Sequence, residues 1–209
     1  MKILELFAGT RSISKAFEKR GHKAYSIEWN KDFENISLYE DINNVTAKDI
    51  IKLCGGVPDV IWASPDCTTY SIAAISHHRK YENGVLLPVS DYAKFCDKTN
   101  KHVLDLIQEL KPKYYFIENP RGGLRKMDFM KGLYRYTVTY CQYGDTRMKP
   151  TDIFTNHPSP KFKPTCKNGD KCHTAAPRGS KTGTQGLKGA KERSIIPEQL
   201  CDHIVDICE

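Results

Sequence analysis

From its start to about Pro120 the chain alternates short apolar runs with segments of helical period, and few folds accept that pattern. Residues 4–7, 23–28, 59–63 and 114–117 read as strands, with a short further strand at 36–39. Helices are predicted at 12–20, 46–53 and 90–110. Ser12 reads as the first helix's N-cap, with Ile13, Ala16 and Phe17 at i, i+3 and i+4, and Gly21 closes that helix. The long helix carries Val103, Leu106, Ile107 and Leu110 on one face and stops at Pro112. Strands and helices at this spacing predict a parallel sheet covered on both faces, joined by right-handed crossovers.

After Tyr134 the pattern changes. Residues 135–142 and 152–156 read as paired strands around a turn at Gly144, an antiparallel end to the sheet. Residues 157–191 show no periodicity, and 197–207 return to helix with Leu200, Ile204 and Ile207 on one stripe. The expected fold is α/β and Rossmann-like. It has a main domain at 1–156, a small basic loop-rich segment at 157–193, and a C-terminal helix at 194–209 completing the main domain.

Charge is distributed very unevenly. Of a net +7, the whole excess lies between His157 and Arg193, where nine Lys or Arg face two acids, Asp170 and Glu192. A neutral body with one basic segment suits a nucleic-acid surface, since phosphate neutralisation and counterion release drive binding. No apolar run reaches the length of a membrane span, and the first residues read directly into a strand without a signal-peptide core. A cytoplasmic, monomeric protein is expected. Its eight scattered cysteines then read as reduced thiols, with one or a few performing chemistry or holding metal.

The candidate chemistry collects at strand ends. Phe7-Ala8-Gly9-Thr10 follows the first strand with small residues that permit close approach of a ligand. Glu28-Trp29 ends the second, and an acid there commonly bonds ribose hydroxyls of a nucleoside cofactor. Asp41-Ile42 follows, then Pro65-Asp66-Cys67, with a thiol just past a buried strand, and finally Glu118-Asn119-Pro120. In the basic segment, Cys166, Cys172 and His173 in a C-x5-C-H arrangement could hold a structural zinc, given a fourth ligand from Cys141, His157, Cys201 or Cys208. The glycine-rich run 177–186, with Arg178 and Lys181, suits contact with a phosphate backbone.

These residues resemble the cytosine-5 DNA methyltransferase family, most of all its short, phage-encoded members. The resemblance covers nearly the whole chain in family order and implies the Rossmann-like fold of S-adenosylmethionine-dependent methyltransferases. It implies that Leu4-Glu5-Leu6-Phe7-Ala8-Gly9 binds S-adenosylmethionine, that Glu28 holds the ribose while Trp29 stacks on adenine, and that Asp41 and Ile42 contact the adenine edge. Ser64-Pro65-Asp66-Cys67 and Ser71 fall on the motif of the catalytic cysteine, and Glu118 and Asn119 on the Glu-Asn motif. Gln142-Tyr143-Gly144 with Arg147 and Lys149 resembles the target-cytosine contact segment. Ser194-Ile195-Ile196-Pro197 resembles the last cofactor-binding segment.

The implied activity is methyl transfer from S-adenosylmethionine to carbon 5 of cytosine in DNA, through a cysteine adduct with a flipped base, in a bacterial or phage-infected cell. The alternatives are modification of RNA or of a free cytosine nucleotide, and a non-catalytic nucleic-acid-binding protein that keeps the fold. Asp66 stands where the family has proline, and an acid beside a thiol disfavours the thiolate. Pro120 replaces the family's valine, and 157–193 is much shorter than the usual target-recognition domain.

Overall fold

The structure is a computed structural model and describes residues 1–175 and 189–209. The calls on Arg178 and Lys181 therefore lie outside the described residues. Strands β1 (Lys2–Leu6), β2 (Lys23–Glu28) and β3 (Leu38–Tyr39) form one wing of a seven-stranded sheet, with helix α1 (Ser12–Lys19) between the first two. Helix α2 (Ala47–Cys54) leads back to β4 (Val60–Ala63) on the other side of β1. A short helix α3 (Ile75–His78) and a separate hairpin, β5 (Arg79–Glu82) with β6 (Val85–Pro88), precede the long helix α4 (Asp91–Leu110). Strand β7 (Tyr114–Pro120) then pairs with β4. The last strands, β8 (Arg135–Thr139) and β9 (Pro150–Thr155), are followed by α5 (Ala190–Ser194) and α6 (Glu198–Cys208).

The sheet order is β3-β2-β1-β4-β7-β9-β8, parallel from β3 to β7 and antiparallel across β7-β9 and β9-β8. Alternate residues of each strand serve two cores. Leu4, Leu6, Ile61, Ala63 and Ile117 pack with Val103, Leu106 and Leu110 of α4 on one face. Ile3, Val60, Trp62 and Phe116 pack with Phe17 of α1 and Leu200, Ile204 and Val205 of α6 on the other. At roughly 25 cal/mol per Å² of apolar surface, these two layers are the dominant folding term.

Several boundaries differ from the expectation for local physical reasons. Ser12 is not the cap of α1; Arg11 holds that position with φ 57° and no side-chain cap bond. Glu5, on the α1 face of β1, instead accepts from the Ile13 and Ser14 amides at 3.2 and 2.8 Å. A buried strand carboxylate thus satisfies the helix's orphan donors. Strand β1 ends at Leu6 because Phe7 turns into the left-handed region at φ 56°. Strand β8 stops at Thr139, where the chain tightens into a 3-10 turn over Tyr140–Tyr143 before Gly144 at φ 86°. Thr46 caps α2 in a capping box with Asp49, and Ser90 caps α4, one residue outside each helix.

Candidate active site

The carboxyl ends of β1, β2, β4 and β7 share one edge of the sheet, and the strand order reverses direction between β1 and β4. Such a switch point opens a crevice outside the strand ends. Here it is a cleft of about 320 Å³ lined by Phe7, Glu28, Trp29, Asp41, Ile42 and Pro65, together with Tyr92, Phe95, Cys96, Thr99 and Asn100 of α4.

Each lining group is fixed by its own element. Glu28, buried at the end of β2, accepts from the Gly9 amide at 3.0 Å and the Asn30 amide at 3.0 Å while still facing the cleft. Trp29 next to it is 69 % exposed, a broad apolar face uncovered by protein. Asp41 accepts from the backbone and side-chain amides of Asn43, both at 2.9 Å, so its carboxylate is set by the 3-10 turn it caps. Gly9, at φ 47°, has the backbone conformation that favours glycine.

Ala8, Gly9, Thr10, Asn119 and Ser194 do not line the cleft. Gly9 acts on it through Glu28. Asn119 donates its side-chain amide to the Pro65 carbonyl at 3.0 Å, tying β7 to the loop that carries Cys67. Ser194 ends α5 and donates to the Lys191 carbonyl at 2.7 Å.

Tyr92 and Phe95 were missed in the sequence. They lie i, i+3 on α4 and are 42 % and 47 % exposed. An aromatic pair on the polar side of an amphipathic helix was the available signal.

Cys67 opens the 3-10 turn Thr68–Tyr70 beyond β4 and is half-buried. Burial, then the charges of Glu118 and Asp66, push its thiol up to about 11, while Lys149 pulls the other way. Asp66 itself is exposed and lines the cleft. It accepts from the Thr68 amide at 2.6 Å and from the Tyr92 hydroxyl. Ser71 donates its amide to the Cys67 carbonyl at 2.9 Å, closing the same turn.

Glu118 is buried on β7 and accepts from the Tyr140 hydroxyl at 3.1 Å. Burial and that carboxylate drive the Tyr140 phenol well above its ordinary value, so it stays a donor. Lys149 sits with its ammonium 4.5 Å from the centre of the Tyr140 ring and donates to the Arg193 carbonyl at 3.0 Å. Arg147 is differently placed. It is buried and forks onto Asp145, with Nε at 2.9 and 3.0 Å from the two carboxylate oxygens. Burial works against the Asp145 carboxylate, but the hydrogen bonds and charge of Arg147 outweigh it and hold its pKa low. Of the two cations read in this segment, Lys149 lies over the Tyr140 ring that bonds Glu118, whereas Arg147 is taken up by Asp145.

A buried network holds the Cys67 turn from beneath. Arg79 donates to the Thr69 carbonyl at 2.9 Å and to Asp97 of α4 at 2.7 and 3.2 Å. Its guanidinium lies 4.1 Å from the Tyr70 ring centre, and the Tyr70 hydroxyl donates to Asp97 at 2.7 Å. Gly122 adds a close backbone approach, since a Cβ there would meet the Tyr70 carbonyl at 2.4 Å.

On the same sheet edge, beyond β8, Cys166 and Cys172 come together with His173 and with Cys141, the first of the four fourth ligands considered. Their donor atoms all lie within 4.8 Å of one another. No helix among the described residues is long and apolar enough to cross a membrane.

Known proteins are similar to this chain in sequence and in fold. A probable DNA (cytosine-5)-methyltransferase of Frog virus 3 (isolate Goorha) is 25 % identical over 225 residues, covering 100 % of both chains. A crystal structure from an Escherichia coli prophage, described as a DNA modification methyltransferase, superposes with a TM-score of 0.54 at 16 % identity. It covers 74 % of this chain, which spans 46 % of that longer one and shares its fold. The family model of the C-5 cytosine-specific DNA methylases matches residues 1–133, and the chain belongs to that family.

Proposed function

We propose that the chain methylates carbon 5 of cytosine in DNA, with S-adenosylmethionine in the cleft and Cys67 as the nucleophile. The observation that carries this reading is a thiol under the charge of a buried glutamate, at the sheet edge that also holds an acid-and-tryptophan cleft. The residues fit the cofactor: Glu28 is pinned by two amides yet faces the cleft as a ribose acceptor, and exposed Trp29 offers a surface for a purine ring. When bound there, S-adenosylmethionine supplies an electrophilic methyl group on a sulfonium.

The residues of the chain do the rest. Carbon 5 of cytosine is a poor nucleophile until a thiolate adds at carbon 6 and turns the ring into an enamine; once carbon 5 carries the methyl group, loss of its proton to solvent expels the Cys67 thiolate and restores the ring. Glu118, steadied by Tyr140, is the group whose carboxyl, sharing a proton with the ring nitrogen and accepting from the exocyclic amine, stabilises the charge developing on the base. Asn119, through the Pro65 carbonyl, keeps the loop bearing Cys67 in register with Glu118. Lys149 favours the thiolate, while Arg147 braces the Asp145 turn from which Lys149 projects. The target base must leave its stack, at a cost of a few kcal/mol in a duplex. The basic segment, whose Cys166 and Lys163 bond Thr139 and Gln142 on the same edge, would offset that cost at the phosphates.

Incubating the purified chain with methyl-labelled S-adenosylmethionine and DNA, RNA or dCMP tests the reading. Label on DNA cytosine supports it; label on RNA or dCMP alone, or binding with no transfer, rejects it.

Two further outcomes follow. Trp29→Ala should weaken S-adenosylmethionine binding about fivefold or more by calorimetry, from a loss of about 1–3 kcal/mol of stacking. Thermal stability should stay unchanged, because the ring is 69 % exposed. A pKa raised to about 11 leaves about one part in a thousand of Cys67 as thiolate at pH 8, so its alkylation by iodoacetamide should rise about tenfold per pH unit from 7 to 10. Glu118→Gln, by removing a negative charge, should speed alkylation at any fixed pH. A plateau below pH 8 would refute the raised value.

A further inference from the structure

Methyl transfer gives no role to the cluster of Cys141, Cys166, Cys172 and His173. The Cys141 sulfur lies 3.1 Å from that of Cys166 and 3.6 Å from that of Cys172. The His173 Nδ1 lies 3.5 Å from the Cys172 sulfur and 3.7 Å from the Cys166 sulfur. A tetrahedral zinc with its usual bond lengths sets its ligand atoms about 3.5–3.8 Å apart, the spacing that most of these pairs already have. Three thiols and an imidazole, with no carboxylate, also select zinc over the oxygen-seeking cations.

The segment around the cluster needs such a staple. From Lys161 to Ala175 the sole buried residue is Cys166. The segment meets the body through one half-buried ring, Phe162, against Tyr136 and His203, and through a few polar ties, such as the Cys166 amide to the Thr139 hydroxyl at 3.1 Å and the Lys163 amide to the Tyr143 hydroxyl at 2.9 Å. Past Phe162 the stretch has no apolar core of its own, and such a stretch gains its order from cross-links or metal. Cys141 comes from a different element, the 3-10 turn after β8, one residue beyond the Tyr140 that bonds Glu118.

We infer that Cys141, Cys166, Cys172 and His173 bind one structural zinc ion, which fastens the basic segment to the turn beside Glu118. On binding, the three thiols lose their protons to solvent and the imidazole ligates through Nδ1, with no change of oxidation state. In this small member of the family the ion does the work of a hydrophobic core for the segment that faces nucleic acid. The site is closed, with four protein ligands and no position for substrate.

The test uses the full chain, purified without chelator. Metal analysis should give about one zinc per chain, and replacement by Co²⁺ should give the visible absorption of a tetrahedral thiolate site. Cys172→Ser, at an exposed position, should lose most of the metal; His173→Cys should keep it, with stronger thiolate-to-cobalt absorption. Cys67→Ser should retain full stoichiometry, which separates this site from the methyl-transfer proposal. Absence of metal in the wild-type chain, or metal unchanged in Cys172→Ser, overturns the inference. So does an unreduced mass two hydrogens low with a Cys141–Cys166 disulfide.

Discussion

Cys67→Ser should lower transfer of label to DNA by about three orders of magnitude or more, while affinity for S-adenosylmethionine stays within about twofold. A hydroxyl is nearly isosteric with a thiol but far less nucleophilic, so the substitution removes the attack and little else. The position favours a clean result. Cys67 is half-buried at a turn, outside both hydrophobic layers, and it is not among the cleft-lining residues. Equal loss of cofactor binding and transfer would show instead that the sulfur shapes the cleft. Unchanged transfer would remove it from the chemistry altogether.

Asp97→Ala should destabilise the protein by about 3–5 kcal/mol, because it leaves a buried guanidinium without its counter-charge. The Arg79 side chain is 0 % exposed and that of Asp97 is 10 % exposed, so water cannot compensate. The same substitution removes the acceptor of the Tyr70 hydroxyl and loosens the turn that begins at Cys67. A urea titration should show a lower midpoint with little change in slope. Replacing Arg79 and Asp97 together with apolar residues of similar size should recover much of the loss, since a buried pair often contributes little beyond a packed apolar one. A loss below about 1 kcal/mol in Asp97→Ala would place the pair in solvent reach, contrary to its burial.

Local chemistry explains which parts of the molecule were legible in the sequence. The parallel strands were, because a strand buried on both faces must be a continuous apolar run, and Val60–Ala63 is one. Helix ends at Thr46 and Ser90 were marked by residues that cap amides with their own side chains. The start of α1 at Ser12 was legible but its cap was misread, because the capping group, Glu5, is supplied from a strand, and no local pattern encodes that. The β5–β6 hairpin was overlooked although Asn83-Gly84, at φ 50° and 79°, is the two-residue signal of such a turn.

Within the candidate site, strand-end residues such as Glu28 and Glu118 were legible because topology alone brings them to one edge. The supports were not. Arg79, Asp97 and Tyr70 meet only when the hairpin and α4 pack across the Cys67 turn. The pairing of Arg147 with Asp145, two residues away, likewise depends on a turn whose shape the sequence does not state. Cys141 was one of four candidates for the cluster, and only the course of the chain after β8 singles it out.

The most direct measurement of the central claim is covalent trapping. A duplex carrying 5-fluorocytosine at a methylated site, incubated with the chain and S-adenosylmethionine, should yield a stable protein–DNA adduct. Digestion and mass spectrometry should then locate the nucleotide on the peptide containing Cys67. An adduct mapped to any other residue, or methyl transfer to cytosine from which no adduct can be trapped, would contradict the account.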